Sequence, residues 1–182
     1  MRFNPGAHRR RSVRLKGWDY SRPGGYFITI CTWNRECLFG AVKDGEMRLN
    51  GLGRIVRDEW LKTPAIRPQV ELDAFVVMPN HFHAILRITG TRRGVLQYAP
   101  TFRSPSQTAG AILRGFKSAA TRRINALGNT SGLPLWQRNY YEHILRGEAE
   151  MDRAREYVLH NPLKWAEDEN HPGNLKGRGQ VG

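Results

Sequence analysis

Residues 71–89 read ELDAFVVMPNHFHAILRIT, and how this stretch folds decides where the rest of the chain must go. Its two halves are apolar, β-branched and aromatic, and Pro79-Asn80 between them is turn chemistry. The pattern predicts strands at 71–78 and 81–89 joined as a hairpin. A strand repeats every two residues, so His81 and His83 share one face and Phe82 takes the other. Two imidazoles side by side in a basic chain point to a metal ion aimed at a phosphate. The same spacing also suits a pair of hydrogen-bonded, partly buried histidines, and metal chemistry needs a further ligand from elsewhere in the chain.

Working outward, YFITICTW after Gly24-Gly25 predicts a first strand at 26–33. Lys43-Asp44-Gly45 reads as a turn, followed by a short strand in EMRLN. Leu52, Ile55, Val56 and Trp60 recur at helical spacing and predict a helix over 51–61, stopped by Pro64 and Pro68. On the far side lies a loop at 90–107 rich in Gly, Pro, Ser and Arg. A helix follows at 108–127, its apolar side set by Ile112, Phe116, Ala120 and Ile124. A strand at about 138–145 and a third helix in EAEMDRAREYVLHNP complete the order. With the minor hairpin strand set aside, the order is βαββαβ. This predicts an α+β, ferredoxin-like fold: a four-stranded antiparallel sheet with helices on one face, plus a C-terminal helix. The open face of the sheet is expected to carry the two histidines. The chain divides into a basic arm at 1–17, a domain at 18–165 and a loose C-terminal tail at 166–182.

Charge narrows the partner. The 182 residues hold 29 Lys+Arg against 16 Asp+Glu, a net charge of +13 with pI about 10.5. That balance favours an anionic partner, nucleic acid first. It leaves a hydrolase of small substrates without a reason for the charge. No His-Glu-x-x-His is present, and Cys31 and Cys37, the only cysteines, form no zinc-deaminase or zinc-ribbon pattern. They read as free thiols of a reducing compartment. No run of 18 apolar residues suggests a membrane span, and no apolar segment follows the basic N-terminus as in a signal peptide. A cytoplasmic, nucleoid-associated bacterial protein is the expectation.

On a helical wheel from Met151, the apolar stripe of Met151, Ala154 and Val158 centres near roughly 330°, with Tyr157 at about 240° and Asn161 at about 280°. Four residues apart, Tyr157 and Asn161 stack along one edge of that stripe. Pro162 disfavours helical geometry at Asn161, so the amide can turn inward. This edge suits a cleft between helix and sheet, and equally an amphipathic rim residue followed by a C-terminal cap.

MPNHFHAIL followed by a helix ending YVLHNP resembles the single-tyrosine transposases of the HUH superfamily. More narrowly, the chain is similar to the REP-associated tyrosine transposases. WDYSRPGGYFITICTWNR, GFKSAATRRIN, LWQRNYYEHILR and YVLHNPLKW extend the resemblance over about residues 18–165. It implies that His81 and His83 ligate a divalent cation, Mg2+ or Mn2+, with Asn161 where relatives carry a glutamine that completes the metal shell. It implies that Tyr157 attacks a phosphate of single-stranded DNA, leaving a 5′-phosphotyrosine and a free 3′-hydroxyl. The substrate would be hairpin DNA with a short single-stranded flank, cut by a monomer or a homodimer. Candidate DNA contacts are Arg9, Arg10, Arg11, Arg14 and Lys16 in the arm, Arg92 and Arg93 in the loop, and Arg114, Lys117, Arg122 and Arg123 on the second long helix. Trp33, Trp136 and Tyr140 are candidates either for stacking on bases or for the core.

Overall fold

The computed structural model describes residues 23–89, 108–128, 130 and 132–174. In chain order these form β1 (Gly24–Cys31), β2 (Gly40–Lys43), β3 (Glu46–Leu49), α1 (Gly51–Leu61), a single turn α2 (Thr63–Ile66), β4 (Val70–Val77), β5 (His81–Ile88), α3 (Ala109–Gly128), β6 (Tyr141–Leu145) and α4 (Glu148–His160). The main sheet has the order β4-β5-β1-β6, and each neighbouring pair is antiparallel. This is the ferredoxin-like arrangement that the βαββαβ order implies. β2 and β3 form a separate hairpin whose two turn residues, Asp44 and Gly45, both have positive φ (54° and 75°). Such a turn carries the twist of the flanking strands.

Alternation along β5 divides the molecule into layers. Phe82, fully buried, meets Trp60 of α1 edge-on and Phe116 of α3 at a tilt, at centroid distances of 5.1 and 5.2 Å. The larger core lies on this face and includes Ile55, Ile112, Ala120 and Ile124 from the two helices. The opposite face carries the histidines and is not open. There α4 packs Met151 and Val158 against Ile85 and Leu145, so His81 and His83 are 0% and 2% exposed. The expectation of an open histidine face therefore fails, because the C-terminal helix has its own apolar stripe to bury.

A bulge in β4 helps to seat that helix. The register shifts between Leu72 and Phe75, inserting an extra residue where Asp73 meets Arg155 of α4 through contacts of 2.7 to 3.2 Å. Arg155 also bonds Glu148 and Asp152 on its own helix.

Three departures from the sequence expectation have a clear physical reason. β1 ends at Cys31, because Asn34 and Arg35 both take left-handed backbone conformations that end an extended run. β6 begins at Tyr141, three residues late, since Lys117 Nζ takes the carbonyls of Gln137 and Arg138 at 2.6 and 3.4 Å. Residues 166–174 are packed where a loose tail was expected, with Asp168 and Asn170 buried beneath two short 3-10 turns. Buried polar groups there are held by hydrogen bonds back to the domain, which composition alone does not reveal. Residues 175–182 and the basic arm lie outside the described residues.

Candidate metal and tyrosine site

Strand β5 places the two imidazoles side by side, with ring centroids 4.5 Å apart. Each ring has one nitrogen occupied. Asn80 Nδ2 donates to the carbonyls of Arg35 (3.0 Å) and Asn170 (2.7 Å), so its Oδ1 is the atom that faces His81 Nδ1 at 2.9 Å. An amide oxygen only accepts, so Nδ1 carries the proton and Nε2 presents a lone pair. His83 Nδ1 pairs across the strands with Thr29 Oγ1 at 2.8 Å. The Nε2 atoms of both rings are buried and without a hydrogen-bond partner among the described residues.

Two further side chains meet them from the C-terminal segment. Asp168 Oδ2 lies 3.8 Å from His81 Nε2, and donor atoms of His81, His83 and Asp168 all fall within 4.8 Å of one another. Asn161, 3% exposed, donates Nδ2 to Asp168 Oδ2 at 3.1 Å, while its Oδ1 is buried and has no hydrogen-bond partner among the described residues. Two imidazole nitrogens, an amide oxygen and a carboxylate thus converge with unused lone pairs. Buried polar atoms are seldom left unmatched, and this set is matched by a divalent cation that accepts both nitrogen and oxygen. Burial drives the His81 pKa down to about 4, opposed by Asp168 and Asn161. Burial, together with the charge of His81, pushes His83 well below its usual value. Both rings are therefore neutral at pH 7, the form that ligates.

Tyr157 stands beside this cluster, its ring centroid 5.2 Å from His83 and 5.7 Å from Phe27. It is 46% exposed and lines a cleft of about 320 Å³ shared with His83 and Thr29. It also lines a second cleft of about 200 Å³ that contains Asn161 and Asp168. Burial raises the phenol pKa, as do the charges of Asp168 and Glu169, while Asn161 works against them. One chain supplies the imidazoles, the amide, the carboxylate and the tyrosine.

An uncharacterized protein of Haemophilus influenzae is 42% identical over 175 residues, spanning 92% of this chain and 96% of its own length. The chain belongs to that protein's family. No family model matches it. Among solved structures, a REP-associated tyrosine transposase bound to a REP hairpin superposes with a TM-score of 0.56 at 22% identity. That match covers 83% of this chain and 73% of the transposase. The fold is that of a REP-associated tyrosine transposase. A candidate transposase of Deinococcus radiodurans aligns at 20% identity over 80% of this chain and 96% of its own, with a TM-score of 0.42.

Within this transposase fold, the expected site residues His81, His83, Tyr157 and Asn161 come together. The expected DNA contacts do not join them. Arg114, Lys117, Arg122 and Arg123 belong to α3, which packs on the Phe82 face of the sheet. Arg123 pairs with Glu59 of α1 at 3.0 Å, and Arg122 bonds Ser118. Arg9, Arg10, Arg11, Arg14, Lys16, Arg92 and Arg93 lie outside the described residues. Trp136 is buried against Phe39 and Phe116, which settles it as core. Trp33 is exposed and Tyr140 lines the 320 Å³ cleft. Asp168, Asn80 and Thr29 were not singled out from sequence. Asn80 reads there as a turn residue, and Thr29 reaches His83 only through strand register. Asp168 carried one usable signal, an acidic residue shortly after the Asn-Pro that ends the tyrosine helix.

Proposed function

We propose that this chain is a transposase of the single-tyrosine HUH type: a metal-dependent, site-specific single-stranded DNA endonuclease and strand transferase acting at REP-like hairpin DNA. The observation that carries this reading is the half-exposed Tyr157, set in a cleft wall beside His83 and its buried partnerless donors.

His81, His83, Asp168 and Asn161 would hold the cation, Mn2+ or Mg2+, the nitrogen donors favouring manganese. Bound there, it would supply positive charge to polarise a phosphate oxygen and to offset the anions that keep Tyr157 protonated. Asn80 holds His81 in the ligating tautomer, and Thr29 holds the plane of His83. Tyr157 Oη forms a bond to phosphorus, and the bond from phosphorus to the 3′-oxygen breaks. The phenol proton passes to solvent in the open cleft, and the 3′-oxygen takes one up. One phosphodiester replaces another, so a second 3′-hydroxyl can reverse the step without ATP. Packing of Met151 and Val158 and the Asp73–Arg155 pair hold α4 against the sheet, which limits where Oη can go.

The test is a labelled hairpin oligonucleotide incubated with protein and Mn2+ or Mg2+, then resolved on a denaturing gel. A metal-dependent covalent adduct is expected, and it disappears in Tyr157→Phe and His83→Ala while hairpin binding persists. Binding without an adduct under either metal, across several hairpin sequences, leaves a non-catalytic DNA-binding protein and overturns the proposal.

A further inference from the structure

The 320 Å³ cleft that Tyr157 shares with His83 holds a cation that the reaction described above does not use. Arg35 is the only lysine or arginine among the described residues of its lining. It reaches that position through two consecutive non-glycine residues in the left-handed region, Asn34 at φ 53° and Arg35 at φ 56°. Such a conformation is strained for a residue with a Cβ and persists where surrounding bonds over-determine it, commonly at functional sites. Here the over-determining bond is Asn80 Nδ2 to the Arg35 carbonyl, from the same amide that orients His81. The placement of the guanidinium and the tautomer of a metal ligand therefore share one anchor.

The guanidinium is only partly used. Nη1 donates to Asn170 Oδ1 at 2.6 Å and, at 3.5 Å, to the Glu169 carbonyl. Both acceptors are neutral, and no carboxylate lies within ion-pair distance of Arg35 among the described residues. Nε and Nη2 have no protein acceptor there. They form one edge of a planar fork, the geometry that matches two oxygens of a phosphate. The pairing with Asn170 pins the opposite side of the fork, so the free edge is already oriented. Two other arginines, by contrast, are held by carboxylates. Arg155 meets Asp73, Glu148 and Asp152, and Arg123 meets Glu59.

We infer that Arg35 grips, through Nε and Nη2, a phosphate of the single strand lying in the cleft next to Tyr157. This rests on the nucleic-acid reading of the site and adds to it a positioning contact from the turn after β1. The contact fixes the register of the strand and so selects which phosphodiester faces Tyr157. Arg35 ties this turn to Glu169 and Asn170 through Nη1 while its side chain lines the cleft.

The experiment measures affinity and not cleavage, so it stands or falls apart from the catalytic proposal. Full-length Tyr157→Phe protein is titrated without metal onto fluorescein-labelled hairpin oligonucleotides with a short single-stranded flank. One flank phosphate at a time is replaced by a neutral methylphosphonate. One position should weaken binding by roughly 10- to 100-fold, the worth of a bidentate charged contact. Arg35→Gln should weaken the all-phosphate oligonucleotide by a similar factor, and replacing that same phosphate should then have no further effect. Its salt dependence should fall by about 0.7 in slope, one single-strand phosphate. Independent, multiplicative losses from Arg35→Gln and the methylphosphonate would show a structural role and overturn the inference. So would a methylphosphonate scan on protein retaining Arg35 in which no position matters, a result that does not depend on the folding of the variant.

Discussion

Asn80→Ala is the sharpest single perturbation of this site. The side chain is fully buried and bonds His81 Nδ1, the Arg35 carbonyl and the Asn170 carbonyl at 2.9, 3.0 and 2.7 Å. Truncation leaves an imidazole N–H and two carbonyls without partners. Each buried orphan costs roughly 1–3 kcal/mol, with the Arg35 carbonyl at the low end because its turn is half-exposed. The sum is about 4 kcal/mol, a large share of a total stability of about 5–15 kcal/mol. For a chain of this size that lowers Tm by about 10 °C. Urea unfolding followed by circular dichroism measures the first quantity, and Mn2+ titration of the folded protein measures a second. Loss of the amide also frees the His81 tautomer, so metal affinity should fall by about 10- to 100-fold. Asn80→Asp separates the two effects. It keeps an acceptor for His81 while turning an oxygen toward two carbonyls, so stability falls but metal affinity falls less than in Asn80→Ala. If Asn80→Ala unfolds within about 1 kcal/mol of wild type and binds Mn2+ unchanged, the tautomer argument is wrong.

Asp168→Ala removes the one carboxylate at the cluster, and the upward shift of Tm that saturating Mn2+ gives the wild type should largely vanish; an unchanged shift would place the metal elsewhere. Gly53→Ala inverts a general rule, because alanine in a helix usually gains about 1 kcal/mol over glycine. Here the added Cβ would lie 2.2 Å from the Phe39 carbonyl oxygen, so a loss of about 1–3 kcal/mol in chemical denaturation is expected, and a gain would refute the contact. Asp73 has its pKa lowered, first by its hydrogen bond from Arg155, so the pair stabilises the fold fully above the unfolded carboxyl value and loses that contribution as pH falls through the lowered one. The stability gap between wild type and Asp73→Asn should therefore be constant above about pH 5 and shrink in acid; a gap that widens in acid contradicts the pairing.

Long-range pairing and local pattern were not equally readable in the chain. Strand β5 was legible because alternation is a local property: Phe82 and the histidines divide between faces by the period of two alone. The sheet order followed from the order of the elements, since four strands with these crossovers have few antiparallel solutions. Tyr157 and Asn161 could be read from a helix edge, again locally. Asp168 had only its acidic character and its place shortly after Asn161-Pro162 to mark it, because its role depends on residues 161–168 folding back so that Asn161 and Asp168 meet, and no periodicity records such a return. Arg35 was hidden for a related reason. Its side chain is aimed by two left-handed residues and by an amide 45 positions away, neither of which leaves a composition signal. Lys117 shows the converse. Its charge and helical position suggested a phosphate contact, but it is bonded to the backbone before β6.

The burial of the ligands constrains the direction from which a substrate can arrive. His81 is fully buried and covered by Trp165, whose ring centroid lies 5.8 Å away. Asp168 and Asn161 are buried as well, reached only from the smaller of the two clefts described above. Of the two imidazoles, His83 alone lines the 320 Å³ cleft, with Tyr157 half-exposed on one side of it and Arg35 on another. A phosphate entering there, under the proposed function, meets Tyr157 and the Arg35 guanidinium before it meets the buried donors. Under the proposed function, ligand substitutions should act mainly on turnover, and changes at the cleft wall mainly on which phosphodiester is chosen. The covering segment is therefore as much a part of site selection as the strand bearing the histidines. Trp165→Ala should test this directly: by opening a second approach at His81, it should broaden the set of flank positions cut while leaving hairpin affinity unchanged. Sequencing the ends of the released fragments reads the outcome, and an unchanged cut site would show that Trp165 does not restrict the approach.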